Sequence, residues 1–172
     1  IDYGDVCVNV DRAWFEEHGI APPTALEDLA RPEFRDLLVV EDPGVSSPGL
    51  AFALATIARF GEEGDDTWLD FWAALRANGV QVASSWRDAY YGAFSGGSGE
   101  GDRPLVVSYA SSPVAEVYYA DPPPSAAPTS SFVDGCYRQV EFAGVLAATP
   151  RPELARALVD FLLGPAVQQQ LP

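Results

Sequence analysis

The chain has 172 residues, a formal net charge of −15 and ten basic residues, all of them arginine. An acidity of this size argues against nucleic acid, whose phosphates call for basic patches. No stretch approaches eighteen uninterrupted apolar residues, so no membrane span is expected. Hydrophobic residues make up 48% of the chain, enough for one well-packed domain or one large lobe.

The opening "IDYGDVCVNV" starts without Met and reads as a strand already in progress, as in a trimmed chain. Val6, Val8 and Val10 fall on one face and Cys7 on the other. Asp11 can cap a short helix, "RAWFEEHG", which Gly19 ends. A second short helix is expected in "PPTALEDLARPEF", with Thr24 as N-cap, Glu27 completing a capping box and Pro32 ending it. "DLLVV" is a short apolar strand, and "GLAFALATIARFG" is a helix apolar nearly all round. In "DDTWLDFWAALRANG", Trp68, Phe71, Trp72 and Leu75 follow the i, i+3, i+4, i+7 pattern of an amphipathic helix that Gly79 stops. "VQVA" is a strand, "SSWRDAYYGAF" a serine-led helix, and "SGGSGEGD" a flexible loop. "PLVVSY" is a strand, followed by the serine-led helix "SSPVAEVYYA" and the proline-rich loop "DPPPSAAPTSS". A long alternating strand, "YRQVEFAGVLAA" (137–148), precedes two closing helices within 151–171. Strands separated by helices imply an α/β fold with a largely parallel sheet covered on both faces. The first and last long strands break that pattern.

Three segments repeat one arrangement, a strand, then serines, then a helix: "LLVVEDPGVSSPG", "VQVASSW" and "PLVVSYASSP". In α/β sheets ligands bind beyond the carboxyl ends of strands, where helix N-termini offer unpaired N–H groups. Ser46 and Ser47 are thus candidates for an anion cradle; ordinary capping by serine is the competing reading. Trp86 and Tyr90 are four apart and share a helix face, while Tyr91 is expected to point elsewhere. Such a pair can stack on a planar, preferably cationic, ring, or simply pack on the core. Arg87 and Asp88 read as solvated.

Catalytic signals are weak. There is no GxSxG, P-loop or GxGxxG, and His18 is the single histidine. Glu41/Asp42 and Asp65/Asp66 are adjacent in sequence and not spaced for acid–base work. Tyr90, Tyr91 and Tyr109 are candidate phenolate ligands for ferric iron. Cys7 and Cys136 form no CxxC and leave no zinc constellation. They are two separate buried thiols or one long-range disulfide, the latter implying an oxidising compartment.

In order and spacing, "IDYGDVCVNVDRAW", "VVEDPGVSSPGLAFAL", "SSWRDAYYGAF", "VVSYASSPVAEV" and "YRQVEFAGVLAATPRPELARALVDFLLGPAVQQQLP" resemble the later two-thirds of bacterial thiamine-binding proteins of ABC importers. That resemblance implies one lobe of a type II periplasmic-binding-protein fold, with a mixed sheet and helices on both faces. It makes residues 1–172 a single α/β lobe, with hinge strands near 3–10 and 137–148 and the first lobe absent from the sequence. It assigns Ser46 to the hydroxyl or phosphate end of the ligand, with Ser47 and Gly49 beside it as further ligand-binding residues. Trp86, supported by Tyr90, lines the cleft, and Tyr109 and Ser112 lie in a matching turn. Where the family carries an aromatic just after that turn, this chain has Val114 and Ala115. Placing Cys7 and Cys136 on neighbouring hinge strands implies a disulfide between them.

The implied function is capture of thiamine or its phosphates and delivery to an ABC permease. The implied location is the periplasm or the cell exterior, with a lipid anchor at a preceding N-terminus as one option. No catalytic residue, metal or cofactor is implied. A ferric-iron or polyamine binder of the same fold, or a ligand-sensing domain or enzyme built on it, are the alternatives.

Overall fold

In the computed structural model, which describes residues 1–171, the first strand, β1 (Asp2–Asp11), is buried without a break from Val6 to Asp11. The reason is its place in the sheet. Five strands run in the order β3-β2-β4-β1-β5, with β2 at Leu38–Glu41, β3 at Gln81–Ala83, β4 at Leu105–Tyr109 and β5 at Thr129–Glu141. β2 is parallel to β3 and to β4, whereas β1 is antiparallel to β4, pairing Cys7 with Ser108 and Val10 with Leu105. The sheet is therefore mixed, and the first strand is one of those that departs from the βαβ run.

Alternate residues along the strands feed two cores. Leu38, Val40, Leu105 and Val107 join Val6, Val8 and Val10 on one face. There they meet Phe15 of α1 (Arg12–His18), Phe52 of α2 (Ser47–Phe60), and Phe71 and Leu75 of α3 (Trp68–Ala77). Val39 and Val106 point to the other face and pack with Ala89, Tyr90, Ala93 and Phe94. Helices on both faces leave the strands no polar side, which is why they read as apolar runs.

Asp11 caps α1 by accepting the Trp14 N–H at 3.2 Å, and Gly19 closes it in the left-handed conformation at φ 63°. The second predicted helix is a 3₁₀ turn, Leu26–Ala30, followed by another at Pro32–Phe34. Its cap is Asp28 and not the Thr24–Glu27 pair. The Asp28 carboxylate accepts the N–H groups of Thr24 and Ala25 at 3.0 and 3.2 Å, which holds it below the usual carboxylate range. The glycine-rich segment after Phe94 is tied down where a flexible loop was expected. Ser95 N–H donates to the Arg103 carbonyl and Gly101 N–H to that of Phe94. A Cβ at Gly99 or Gly101 would lie 2.0 Å from a carbonyl oxygen, so these glycines serve close backbone approach.

The returning strand β5 begins eight residues earlier than the alternation suggested and ends at Glu141, so 142–148 are not strand. Serines in its first half had read as loop. Ser131 donates to Asn9 Oδ1 at 2.9 Å, a partner supplied by β1. Cys7 and Cys136, on these neighbouring strands, form a disulfide with Cα atoms 4.4 Å apart and a sequence separation of 129.

The chain divides into two compact units, Asp5–Tyr137, and Ile1–Gly4 with Arg138–Pro172. The smaller unit contains α4's successors in the chain, the helices α5 (Pro152–Leu163) and α6 (Pro165–Gln168), where α4 is Ser112–Tyr118 of the larger unit. Within the smaller unit the Ile1 ammonium donates to the Glu141 carbonyl at 2.6 Å, and Gln168 donates to the Ile1 and Leu162 carbonyls.

Candidate functional site

β3, β2 and β4 are neighbours and parallel, so the three serine-led turns that follow them lie along one edge of the sheet. The serines are used differently at each. At the turn after β2, Ser46 is the N-cap residue of α2 in extended conformation, but its side chain makes no capping bond. The turn is held instead by Asp42, which accepts from the Gly44 N–H at 2.8 Å. Gly49 brings the first turn of α2 onto the end of β2, where a Cβ would sit 2.5 Å from the Glu41 carbonyl oxygen. After β3, serine acts as a cap: Ser85 Oγ accepts the Asp88 N–H at 3.1 Å, and Ser84 donates to Asp88 at 2.5 Å. After β4, Ser112 is buried and its hydroxyl lies 3.0 Å from that of Ser108.

Ser108 also accepts the indole N–H of Trp86 at 2.9 Å. This bond fixes the half-buried Trp86 ring, which stacks on Tyr90 at 5.0 Å between centroids and 20° between planes. Tyr91 does not point elsewhere. Its ring meets Trp86 edge-on at 5.5 Å, with the Arg87 guanidinium over the ring 5.7 Å from its centroid. The segment Asp88–Ala93 is a π-helix, and its wider turn returns residue i+5 as well as i+4 to the Trp86 side.

Trp86, Tyr90, Tyr91, Ser112, Glu116 and Tyr119 line a cavity of about 190 Å³. The Tyr90 hydroxyl donates to Glu116 Oε1, and Thr129 donates to Glu116 Oε2 at 2.6 Å. Burial, reinforced by the Glu116 carboxylate, raises the Tyr90 phenol far above its ordinary range, so it stays a neutral donor. Gly97, at φ 58°, lets the glycine-rich loop approach this carboxylate; a Cβ there would lie 2.4 Å from Oε1.

Of the residues singled out in the sequence, Trp86, Tyr90 and Ser112 come together at this cavity. Tyr109 lies 6.3 Å from Trp86, outside the lining. Ser46, Ser47 and Gly49 belong to the neighbouring turn and do not line it. Tyr91, expected to point elsewhere, joins them, and Glu116 and Tyr119 are additions. Helical spacing was the available signal for both additions, since Glu116 follows Ser112, and Tyr119 follows Ala115, by four residues on one helical stretch.

Glu41 is a further surprise. At the end of β2 it is fully buried, and neither carboxylate oxygen has a hydrogen-bond partner. Desolvation pushes its acid up to about 8. The strand places it beside Ala83 and on the face of Val39.

Residues 1–172 match the family described as bacterial extracellular solute-binding protein. The chain belongs to that family. It is 30% identical over 99% of its length to the thiamine-binding periplasmic protein of Salmonella typhimurium, and 32% identical over 88% to that of Escherichia coli. It covers 48% and 43% of those proteins. A solved periplasmic thiamin binding protein superposes with a TM-score of 0.80 at 29% identity, over 98% of this chain and 48% of that one. The chain thus spans about half the length of the relatives it matches, and its α/β fold corresponds to half of such a structure. Members of this family bind solutes outside the cytoplasm and are normally not catalytic; a disulfide accords with that setting.

Proposed function

We propose that this chain is the ligand-facing second lobe of an ABC importer's solute-binding protein, working in the periplasm or at the cell exterior on thiamine or thiamine phosphates. The observation that carries the reading is Trp86. Its ring is partly buried, oriented by the bond to Ser108 and backed by Tyr90, in a cavity with aromatic walls. An aromatic face of this kind suits a heteroaromatic cation. The thiamine-binding relatives supply the specific ligand. Ser46, Ser47 and Gly49, at the N-terminus of α2 on the same sheet edge, receive the hydroxyl or phosphate end. Tyr109 flanks Trp86, and Ser112 braces it through Ser108.

In this reading β1 and β5 are the hinge strands, and a first lobe closes over the cavity to exclude water. The exposed apolar residues Leu154, Leu158 and Phe161 on one face of α5 support the presence of such a covering lobe. The closed complex then hands its ligand to the permease. Native mass spectrometry of the full-length protein, purified without added ligand, tests the assignment. Thiamine or its mono- or diphosphate is expected as the retained mass. A retained ferric ion, polyamine or sugar phosphate would replace the ligand assigned here.

A further inference from the structure

The cavity beside Trp86 holds one ionisable acid that is neither exposed at random nor neutralised. Both oxygens of Glu116 are held by uncharged donors, the Tyr90 phenol and the Thr129 hydroxyl. Those bonds fix the carboxylate in place, and among the described residues no arginine is paired with it. Gly97 adds loop backbone against it, which limits its access to water. Tyr119 also lines the cavity; it is 81% exposed and its ring is set edge-to-face against Tyr118 at 5.0 Å. Ala115, one helical turn earlier, is a small residue on the same lining. A planar guest entering beside Trp86 would meet a cavity lined by the rings of Trp86, Tyr90, Tyr91 and Tyr119 and by the fixed Glu116 carboxylate. Aromatic faces attract cations through the ring quadrupole, and an unpaired carboxylate in a partly desolvated site strengthens the same preference.

We infer that Glu116 and Tyr119 are specificity-determining residues, which make this cavity select a permanently charged heteroaromatic ring, of thiazolium or pyridinium type, over an uncharged ring of the same shape. The inference rests on the ligand site proposed above and adds the source of its charge selectivity: the acid and the outer ring are carried by α4 and its last turn, within this chain. The cavity, at about 190 Å³, suits one such ring, with the remainder of a larger ligand lying outside it.

The test is calorimetric titration of the full-length protein with two matched pairs: thiamine against its uncharged thiophene isostere, and 1-methylnicotinamide against nicotinamide. Wild type favours the charged member of each pair. Glu116→Gln, which keeps the shape of the side chain, weakens the charged member about tenfold and leaves the neutral one within about twofold. Tyr119→Ala, at an exposed position with little bearing on folding, also weakens the charged member selectively, and Tyr119→Phe restores it. If both variants reduce charged and neutral ligands equally, or change neither, the inference is overturned, while thiamine binding by wild type leaves the functional reading intact. If wild type ignores thiamine yet prefers 1-methylnicotinamide in a Glu116-dependent way, the thiamine reading fails and the charge selectivity stands. No preference for the charged member in either pair overturns the inference.

Discussion

α3 and α5 carry the same kind of apolar stripe and meet opposite fates. In α3, within Asp5–Tyr137, Phe71 and Leu75 are 7% and 1% exposed. In α5, within the smaller unit, Leu158 and Phe161 are 56% and 60% exposed, and no residue of the helix is buried. The contrast extends to the whole of each unit. The larger one contains two cores on the two faces of its sheet, whereas the smaller one buries none of its described side chains. An amphipathic pattern therefore records that a face is made to be covered and is silent on what covers it. For α3 the cover is the sheet; for α5 we have proposed the lobe that makes up the other half of the longer relatives.

The disulfide offers the strongest way to break this contrast, because both its cysteines lie in the larger unit. With a sequence separation of 129, its loss should cost about 5 kcal/mol in the chain-entropy model. Denaturant unfolding of the oxidised protein and of a Cys7→Ser/Cys136→Ser variant should show a large drop in midpoint. Coincident curves would remove the bridge from the account of stability.

Cavity formation comes next in size. Leu75→Ala should lower stability by about 3 kcal/mol. Leu158→Ala in the same 172-residue chain should stay within about 0.5 kcal/mol, as for an open surface site. In the full-length protein the cost of Leu158→Ala should rise toward the core value. A cost that stays near zero there would mean that α5 is not covered by the other lobe.

Glu41 sharpens the comparison from within the well-packed unit. Its acid sits near 8 when folded, against 4.5 ordinarily, because burial penalises the charged form. The folded state thus holds the proton longer than the unfolded one. The stability this provides is complete below about pH 4.5 and is lost progressively as pH rises through about 8. Glu41→Gln should flatten this decline and leave the variant more stable than wild type by a few kcal/mol above pH 8. Urea titrations at pH 5, 7 and 9 would show it, and parallel pH profiles for the two proteins would refute it.

Most of the fold was legible because local signals agreed with tertiary placement. The valine runs of β1, β2 and β4, the Asp11 and Gly19 caps of α1 and the stripe of α3 point the same way at both levels. The failures share one cause, partners distant in sequence. Thr129–Ser131 read as loop until β1 supplied Asn9, and the glycines of 96–101 read as flexible until the backbone of Ala93–Phe94 came against them. At the site, Trp86 and Tyr90 followed from a spacing of four. Tyr91 needed the π-helix to bring it round, and Glu116 needed Tyr90 and Thr129 to hold it. No pattern in the sequence marked Glu41 as a buried acid without a partner.

The central claim is that Trp86 presents the stacking face for a thiamine-type cation. Calorimetric titration of the full-length protein with thiamine, wild type beside Trp86→Ala, tests it most directly. Saturable binding in the wild type, weakened at least about tenfold by the substitution, is the predicted result. Equal affinity in both proteins would contradict it.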